Sequence, residues 1–208
     1  MAELFDILSS IVTVQCWGVE RRVLSAEEWS LPPGYRQTVD AVNFVLDGSS
    51  TISMDGAEYL LEPGQAIFMP EGTAIDRSLL LPDATIDVLW IVFHLYTQEQ
   101  LRLTHLHRPP LCLTGETAAA MQRLALQMRE EWTAERSGKA LVVNGLFLQL
   151  LATAYRAPAT DIVPPIAVVP LAKELPSTSG QEEIAHAVQF IAAHFAESLT
   201  FAQIAGEV

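Results

Sequence analysis

In its first half the chain alternates short apolar segments with turn-forming dipeptides, a spacing that restricts it to antiparallel β structure. Residues 40–46 have the two-residue alternation of a strand, and Asp-Gly follows at 47–48 and again at 55–56. Because Asp-Gly supports the positive φ angles of tight hairpin turns, the two pairs predict an antiparallel meander. A longer segment, residues 85–96, is apolar on both faces and is expected to lie deep in the sheet. Many short strands at this spacing favour a closed barrel or a sandwich.

After residue 116 the apolar period changes to that of a helix. One helical stripe is formed by Met121, Leu124, Ala125, Met128 and Trp132. A second helix is predicted over residues 139–155, and it is apolar on almost all sides. Such a helix must be covered by the barrel, by the first helix or by another subunit. An antiparallel hairpin packed on the barrel and a dimer interface fit the pattern equally well.

A linker and a further helical region are predicted after the hairpin. Five prolines fall within residues 157–180, together with Ser, Thr and Gly, which is typical of a linker. Apolar residues then recur at helical spacing, and Thr200 to Gln203 matches a capping box that begins another helix. The predicted division is a barrel, a hairpin, a linker and a partial helical domain, at residues 1–112, 113–157, 158–180 and 181–208.

Charge and cysteine content restrict the classes of partner. The formal net charge of −13 lacks the basic footprint of a nucleic-acid binder. Cys16 and Cys112 stand among apolar residues and are predicted to be reduced core thiols. Glu3 and Asp6 stand where a signal peptide needs positive charge, and no apolar run reaches the roughly 18 residues of a membrane span. We therefore expect a soluble, cytoplasmic protein without a membrane partner.

Residues 64–72 resemble the frame around a metal ligand in many small β-barrel enzymes: a glycine, five residues, then Pro-x-Gly. The ligand, a histidine, would stand three residues later, where this chain has Ile75. Counting from Gly34 places Asp40 and Val42 at two further histidine positions, and no glutamate follows at the expected spacing. Since one carboxylate cannot hold a catalytic metal, neither a metal nor another cofactor is expected.

The remaining histidines and the nucleophile motifs give no indication of catalysis. His105 and His107 have no acidic neighbour in sequence, and His186 and His194 would lie roughly 80° apart around a helix axis. The sequence contains neither a G-x-S-x-G elbow nor a glycine-rich phosphate loop. No catalytic residue is predicted, and the chain is not expected to be an enzyme.

The barrel and the tail resemble one protein family. Residues 42–72, from Val42-Asn43-Phe44 through Asp55-Gly56 to Phe68-Met69-Pro70-Glu71-Gly72, resemble the cupin sensor domain of AraC/XylS-type transcription regulators. Residues 91–95 resemble the aromatic- and histidine-bearing strand that follows in that family, and residues 184–205 resemble the start of its DNA-binding domain. Barrel, helical hairpin, linker and tail also stand in the family's order.

The resemblance implies the ligand-sensing and dimerisation region of a transcription regulator. In that family the barrel binds a small-molecule effector, the helices dimerise and two helix-turn-helix units bind DNA. The tail matches the first helix and the beginning of the second, a partial helix-turn-helix with Thr200, Gln203 and Ala205, and the recognition helices have no counterpart up to Val208. Because residues 181–208 contain no Lys or Arg, we expect no DNA contact from them. DNA would be bound only through the missing C-terminal part.

Six side chains are predicted to face the barrel interior and contact the effector: Trp29, Arg36, Asp40, Phe44, Trp90 and His94. The aromatic residues would supply stacking or apolar walls, and the three charged or polar residues would orient a polar ligand. Arg36 would favour a carboxylate or hydroxyl-rich effector. Two alternatives stay open at this point: a stand-alone, metal-free cupin binding module and a cupin enzyme.

Overall fold

The computed structural model describes residues 11–32, 34–81, 83–97 and 111–168. These ranges form strands that are followed by two long helices. In chain order the elements are β1 (Ile11–Ser25), α1 (Ala26–Trp29), β2 (Tyr35–Arg36), β3 (Asp40–Asp47), β4 (Ser50–Met54), β5 (Ala57–Leu61), β6 (Ala66–Met69), β7 (Ala74–Leu79), β8 (Thr85–Thr97), β9 (Cys112–Leu113), α2 (Gly115–Thr133), α3 (Lys139–Tyr155), a 3₁₀ turn (Ala159–Asp161) and β10 (Ala167–Val168).

The strands form two five-stranded sheets in which neighbouring strands are antiparallel. The first sheet has the order β1-β8-β3-β6-β9, and the second has the order β10-β5-β4-β7-β2. Apolar side chains from both sheets pack into one core, which includes Val45, Ile67, Ile86 and Val88 from the first sheet and Ile52, Met54, Leu61 and Ile75 from the second. This core forms the interior of the β domain.

A second core lies between the first sheet and the helical hairpin. The stripe predicted for α2 is confirmed, because Met121, Ala125 and Met128 are fully buried there. Phe93 on β8 packs against Phe147 on α3, with ring centroids 4.4 Å apart. The first sheet is therefore covered on both faces, by the second sheet on one side and by the hairpin on the other.

The predicted fold class, mainly β structure followed by an antiparallel helical hairpin, is confirmed. The hairpin packs on the β domain, as one of the two interpretations of residues 139–155 required. However, α3 also leaves apolar side chains exposed, with Leu141 81% and Val142 46% accessible. Packing on the barrel therefore accounts for only part of its apolar surface.

One of the two predicted Asp-Gly hairpins is wrong. Asp55 and Gly56 both have positive φ angles, 48° and 76°, and they join β4 to β5 as expected. At residues 47–48, by contrast, the chain crosses from the first sheet to the second, since β3 pairs with β6 and β8. Gly48 has φ 79°, and a Cβ there would collide with the carbonyl oxygen of Thr85. Glycine is required at this crossing for two reasons: its φ angle is positive, and the backbone of Thr85 leaves no room for a side chain.

Part of the segment predicted as a linker packs against the β domain. The backbone of β10 pairs with β5, and the Asp161 carboxylate accepts a hydrogen bond from the backbone N–H of Thr117 (3.0 Å) in the first turn of α2. Hydrogen bonds from Thr117 lower the pKa of Asp161. Residues 157–168 are thereby attached to both the second sheet and the hairpin.

Several predictions concern residues outside the described ranges. They are the rest of the linker, the partial helix-turn-helix with Thr200, Gln203 and Ala205, and the histidines at 105, 107, 186 and 194. Within the described part of the chain, no helix combines the length and the apolar character needed to cross a membrane. Cys16 and Cys112 are free thiols, and burial raises the pKa of each to about 12.

Candidate ligand-binding cavity

A cavity of about 220 Å³ lies between the two sheets. An engineered protein cavity of about 150 Å³ holds benzene, so this one has room for a small substituted ring. The lining is mostly apolar and aromatic with a few polar groups, which is typical of small-molecule sites. The lining residues are Arg22, Leu24, Glu28, Trp29, Leu31, Tyr35, Gln37, Asn43, Ile52, Met69, Ile75, Ser78, Val88 and Trp90.

Trp29 forms one wall and is fixed by hydrogen bonds at both of its polar ends. Its indole N–H donates to Ser50 Oγ (2.6 Å), and Ser78 Oγ donates to its carbonyl oxygen (2.6 Å). A capping box between Ser25 and Glu28 begins the short helix that carries it. Hydrogen bonds from Ser25 lower the pKa of Glu28 at the cavity wall. The ring is therefore held in place before any ligand binds.

Trp90 and Asn43 form a cross-strand pair on the inner face of the first sheet. Asn43 Oδ1 and Trp90 Nε1 are buried, and neither atom has a hydrogen-bond partner among the described residues. Buried polar side-chain atoms are satisfied in most native structures, so two such atoms in one cavity wall require an explanation. A bound ligand or an ordered water at this wall would satisfy both groups.

Arg22 covers the outer side of Trp90. Its guanidinium carbon lies 4.8 Å from the Trp90 ring centroid, within the range of a cation–π contact. Its other partner is the Glu20 carboxylate, at 2.6 Å. A second cavity, of about 190 Å³, also touches Arg22 and Trp90, and Trp17 and Val92 line it further out. Arg22 and Trp90 thus stand between the two cavities.

Of the six side chains predicted to contact an effector, Trp29 and Trp90 line the inner cavity. Arg36 is exposed, and its guanidinium donates to the carbonyl oxygen of Gly72 (3.1 Å). Phe44 is fully buried between the first sheet and the hairpin. Its predicted orientation is wrong, because β3 is apolar on both faces and its inward positions include Asn43 and Val45 instead.

Asp40 and His94 are close to each other but are not among the residues that line either cavity. Asp40 is fully buried, its Oδ1 accepts the backbone N–H of Glu71 (2.9 Å), and its Oδ2 lies 3.8 Å from His94 Nδ1. Trp17 meets the His94 ring edge-on, with centroids 5.1 Å apart. Burial, followed by the charge of Asp40, raises the pKa of Tyr155 on α3 to about 12.

The counting that placed Asp40 and Val42 at ligand positions inside the barrel is not supported by the geometry. Val42 faces the hairpin, and Asp40 stands at the end of its strand. Ile75, at the position of the expected histidine, is 1% exposed and lines the cavity as an apolar wall. The described residues that could hold a metal are instead Asp40, Glu71 and His94, which offer one ligand atom each within 4.8 Å of one another.

Sequence reasoning missed several residues of the cavity wall. Asn43 could have been found, because it is the polar residue within an otherwise apolar run of β3, which marks a functional or paired position. Arg22, Tyr35 and Gln37 lie in segments whose sequence has no clear two-residue period. Glu71 occupies the turn between β6 and β7, and only the pairing of the strands brings it to Asp40.

Comparison with known proteins identifies structural similarity only. No protein-family profile matches the sequence, and no curated protein matches it. Among solved structures, the AraC-like transcriptional activator CuxR is 14% identical, with 95% of this chain and 65% of that chain covered and a TM-score of 0.43. A cupin protein from Bacteroides fragilis is 20% identical over 40% of this chain and 67% of its own (TM-score 0.30). The EutQ protein of Clostridium difficile is 17% identical over 41% and 76% (TM-score 0.30). None of these values assigns the chain to a family.

Proposed function

We propose that the chain is the ligand-sensing and dimerisation region of an AraC-type transcription regulator and has no catalytic activity of its own. The observation that carries the proposal is the cavity between the sheets, with Trp29 and Trp90 as walls and two unsatisfied polar atoms in its lining. The resemblance of residues 42–72 and 184–205 to that family, and the order of barrel, hairpin and tail, support the same conclusion.

The first sheet provides a physical route from the cavity to the hairpin. Val88 and Trp90 face the cavity, whereas Leu89, Ile91 and Phe93 on the same strand face the helices. Because packed interiors are poorly compressible, a ligand that displaces one face of this strand is expected to displace the other. Binding would thereby change the position of α3 relative to the sheet.

An exposed face of α3 supports dimerisation. Leu141 and Leu148 are exposed, and Gly145 stands between them with nothing within 4 Å of the position that a Cβ would take. The spacing i, i+4 and i+7 places the three residues on one side of the helix. A second copy of α3 could approach closely at the glycine and cover both leucines.

The inner cavity can be tested by filling it. We expect Val88→Phe to occupy part of the 220 Å³ and to weaken effector binding at least tenfold. Val23→Phe is the matched control, since Val23 is on the neighbouring strand and 62% exposed. Calorimetry with a panel of small aromatic and hydroxylated metabolites would identify ligands of the unsubstituted protein. Hits that bind the Val88→Phe and Val23→Phe variants equally well would contradict an effector site in this cavity.

The runner-up is a metal-free binding module that takes up the same ligand without regulating transcription. The two functions differ in the effect that a bound ligand has on the helices. In a regulator, a bound ligand must alter the packing of the hairpin. The hydrogen-exchange rates of the α3 backbone should therefore change when a ligand fills the cavity. Unchanged exchange along Lys139–Tyr155 at saturating ligand would favour the binding module.

A further inference from the structure

The first sheet brings three metal-ligating side chains to one of its ends. In the order β8-β3-β6, β3 is flanked by antiparallel neighbours. The start of β3 therefore lies beside the ends of β8 and β6. Asp40 is the first residue of β3, His94 is near the end of β8, and Glu71 follows β6 in the turn to β7.

We propose that Asp40, Glu71 and His94 form a binding site for one divalent transition-metal ion. Imidazole and carboxylate together suit ions such as Zn²⁺, Fe²⁺ or Mn²⁺. The site is distinct from the inner cavity, because none of the three residues lines it. It shares Asp40 with the positions counted from Gly34, but not Val42, which faces the hairpin, or Ile75, which is an apolar wall of the cavity.

The spacing of the donor atoms fits a shared ion better than a direct contact. Asp40 Oδ2 and His94 Nδ1 are 3.8 Å apart, which is too long for a hydrogen bond between them. Zinc–ligand bonds of roughly 2.0–2.2 Å place two donors of one ion about 3–4.4 Å apart. All three donors lie within 4.8 Å of one another, so small side-chain adjustments would bring them to bonding distance of one ion, with water in the remaining positions.

The surroundings hold the donors in place. Asp40 is 0% exposed, its Oδ1 accepts the backbone N–H of Glu71, and its Oδ2 lies 3.8 Å from His94 Nδ1. His94 is 6% exposed and is held edge-on by Trp17. Contacts that a metal-binding side chain makes with its neighbours, apart from the metal itself, orient such ligands in proteins. Two carboxylates, one fully buried and one half-buried, beside a buried imidazole also favour a cation electrostatically.

A bound ion would connect three strands of the first sheet at the end where Tyr155 of α3 lies near Asp40. The metal would therefore stabilise the junction between the β domain and the hairpin. This role needs no substrate and no activity. It does not depend on what the inner cavity binds, so the two proposals can fail separately.

The test is a calorimetric titration of the full chain with Zn²⁺ after treatment with a chelator. We expect one equivalent to bind, and Glu71→Gln and His94→Gln each to weaken binding at least thirtyfold. Glu27→Gln is the matched control, because Glu27 is exposed on α1 and its substitution should leave the affinity within twofold. Far-UV circular dichroism and the melting temperature of each chelated variant would exclude unfolding as the cause.

A second readout uses Co²⁺ as a spectroscopic probe. Its visible absorption depends on the donor set, so the spectrum of the wild-type complex should change when His94 is replaced by Gln. Absence of Zn²⁺ binding by the wild type would overturn the proposal. So would binding that Glu71→Gln and His94→Gln leave within threefold, because the ion would then lie elsewhere on the chain.

Discussion

At the scale of single residues, Asn43 carries the clearest signature of a binding function. Its Oδ1 is buried, as is Nε1 of its cross-strand neighbour Trp90, and neither atom has a partner among the described residues. An unsatisfied buried acceptor destabilises a fold, so one in a native structure requires an explanation, such as a bound molecule or an ordered water. Asn43 is therefore a position in the cavity wall where stability and the proposed binding function can be tested against each other.

Asn43→Leu should therefore stabilise the protein while it weakens ligand binding. Leucine has a similar size and removes the unsatisfied acceptor, so the free energy of unfolding should rise by about 1 kcal/mol. Urea denaturation measures this change, and calorimetry with a cavity ligand measures the loss of affinity. Asn144→Leu is a useful contrast, because Asn144 Oδ1 accepts the backbone N–H of Cys16 (3.3 Å) and its loss should destabilise. A destabilised Asn43→Leu variant would show that the amide is paired in solution.

At the scale of secondary-structure elements, periodicity predicted much of the fold. The α2 stripe and the hairpin at Asp55-Gly56 followed from local sequence alone. Local sequence could not predict which face of β3 points into the β domain, because the hairpin covers one side of the first sheet and the second sheet covers the other. A strand that is buried on both faces has apolar residues throughout. The two-residue period then does not show which face of β3 points inward, and the polar side chain of Asn43 is the one local mark of a special position within the apolar run of that strand.

The crossing at Gly48 depended on a contact that is distant in sequence. Two Asp-Gly pairs look alike locally, and only the pairing of β3 with β6 and β8 makes the first one a crossover, where Thr85 passes close to Gly48. For the same reason the cluster of Asp40, Glu71 and His94 could not be predicted. Strand pairing between distant segments brings these residues together, and no sequence spacing encodes that pairing.

Gly48→Ala should destabilise the protein more than Gly64→Ala. Both glycines have positive φ, 79° and 84°, so both variants lose about 1 kcal/mol of stability from backbone strain. A Cβ at Gly64 meets nothing within 4 Å, whereas a Cβ at Gly48 collides with the Thr85 carbonyl oxygen. The difference in unfolding free energy between the variants therefore measures the close approach alone. Equal losses of stability in the two variants would mean that the backbone at Gly48 can move away from Thr85 without a cost in free energy.

At the scale of the whole molecule, the first sheet is the shared element. One of its faces lines the cavity between the sheets and the other packs on the hairpin, and the proposed metal site lies at one of its ends. The sequence predicted a barrel followed by a hairpin, and two of the side chains that it chose as effector contacts, Trp29 and Trp90, line the cavity. It could not predict that the polar residues chosen with them, Asp40 and His94, would meet each other outside the cavity lining.

The apolar side of α3 that the β domain leaves uncovered should mediate association of two copies. We expect the protein to sediment as a dimer at micromolar concentrations, and Leu141→Glu, Leu148→Glu double substitution to yield a folded monomer. Both leucines are exposed in the single chain. Glutamates in their place would put charges into the buried interface of the dimer. Leu81→Glu is the matched control, since Leu81 is 77% exposed outside α3 and its substitution should leave the dimer intact. A monomeric unsubstituted protein would contradict this interface, and a dimer that survives the double substitution would place it on another surface.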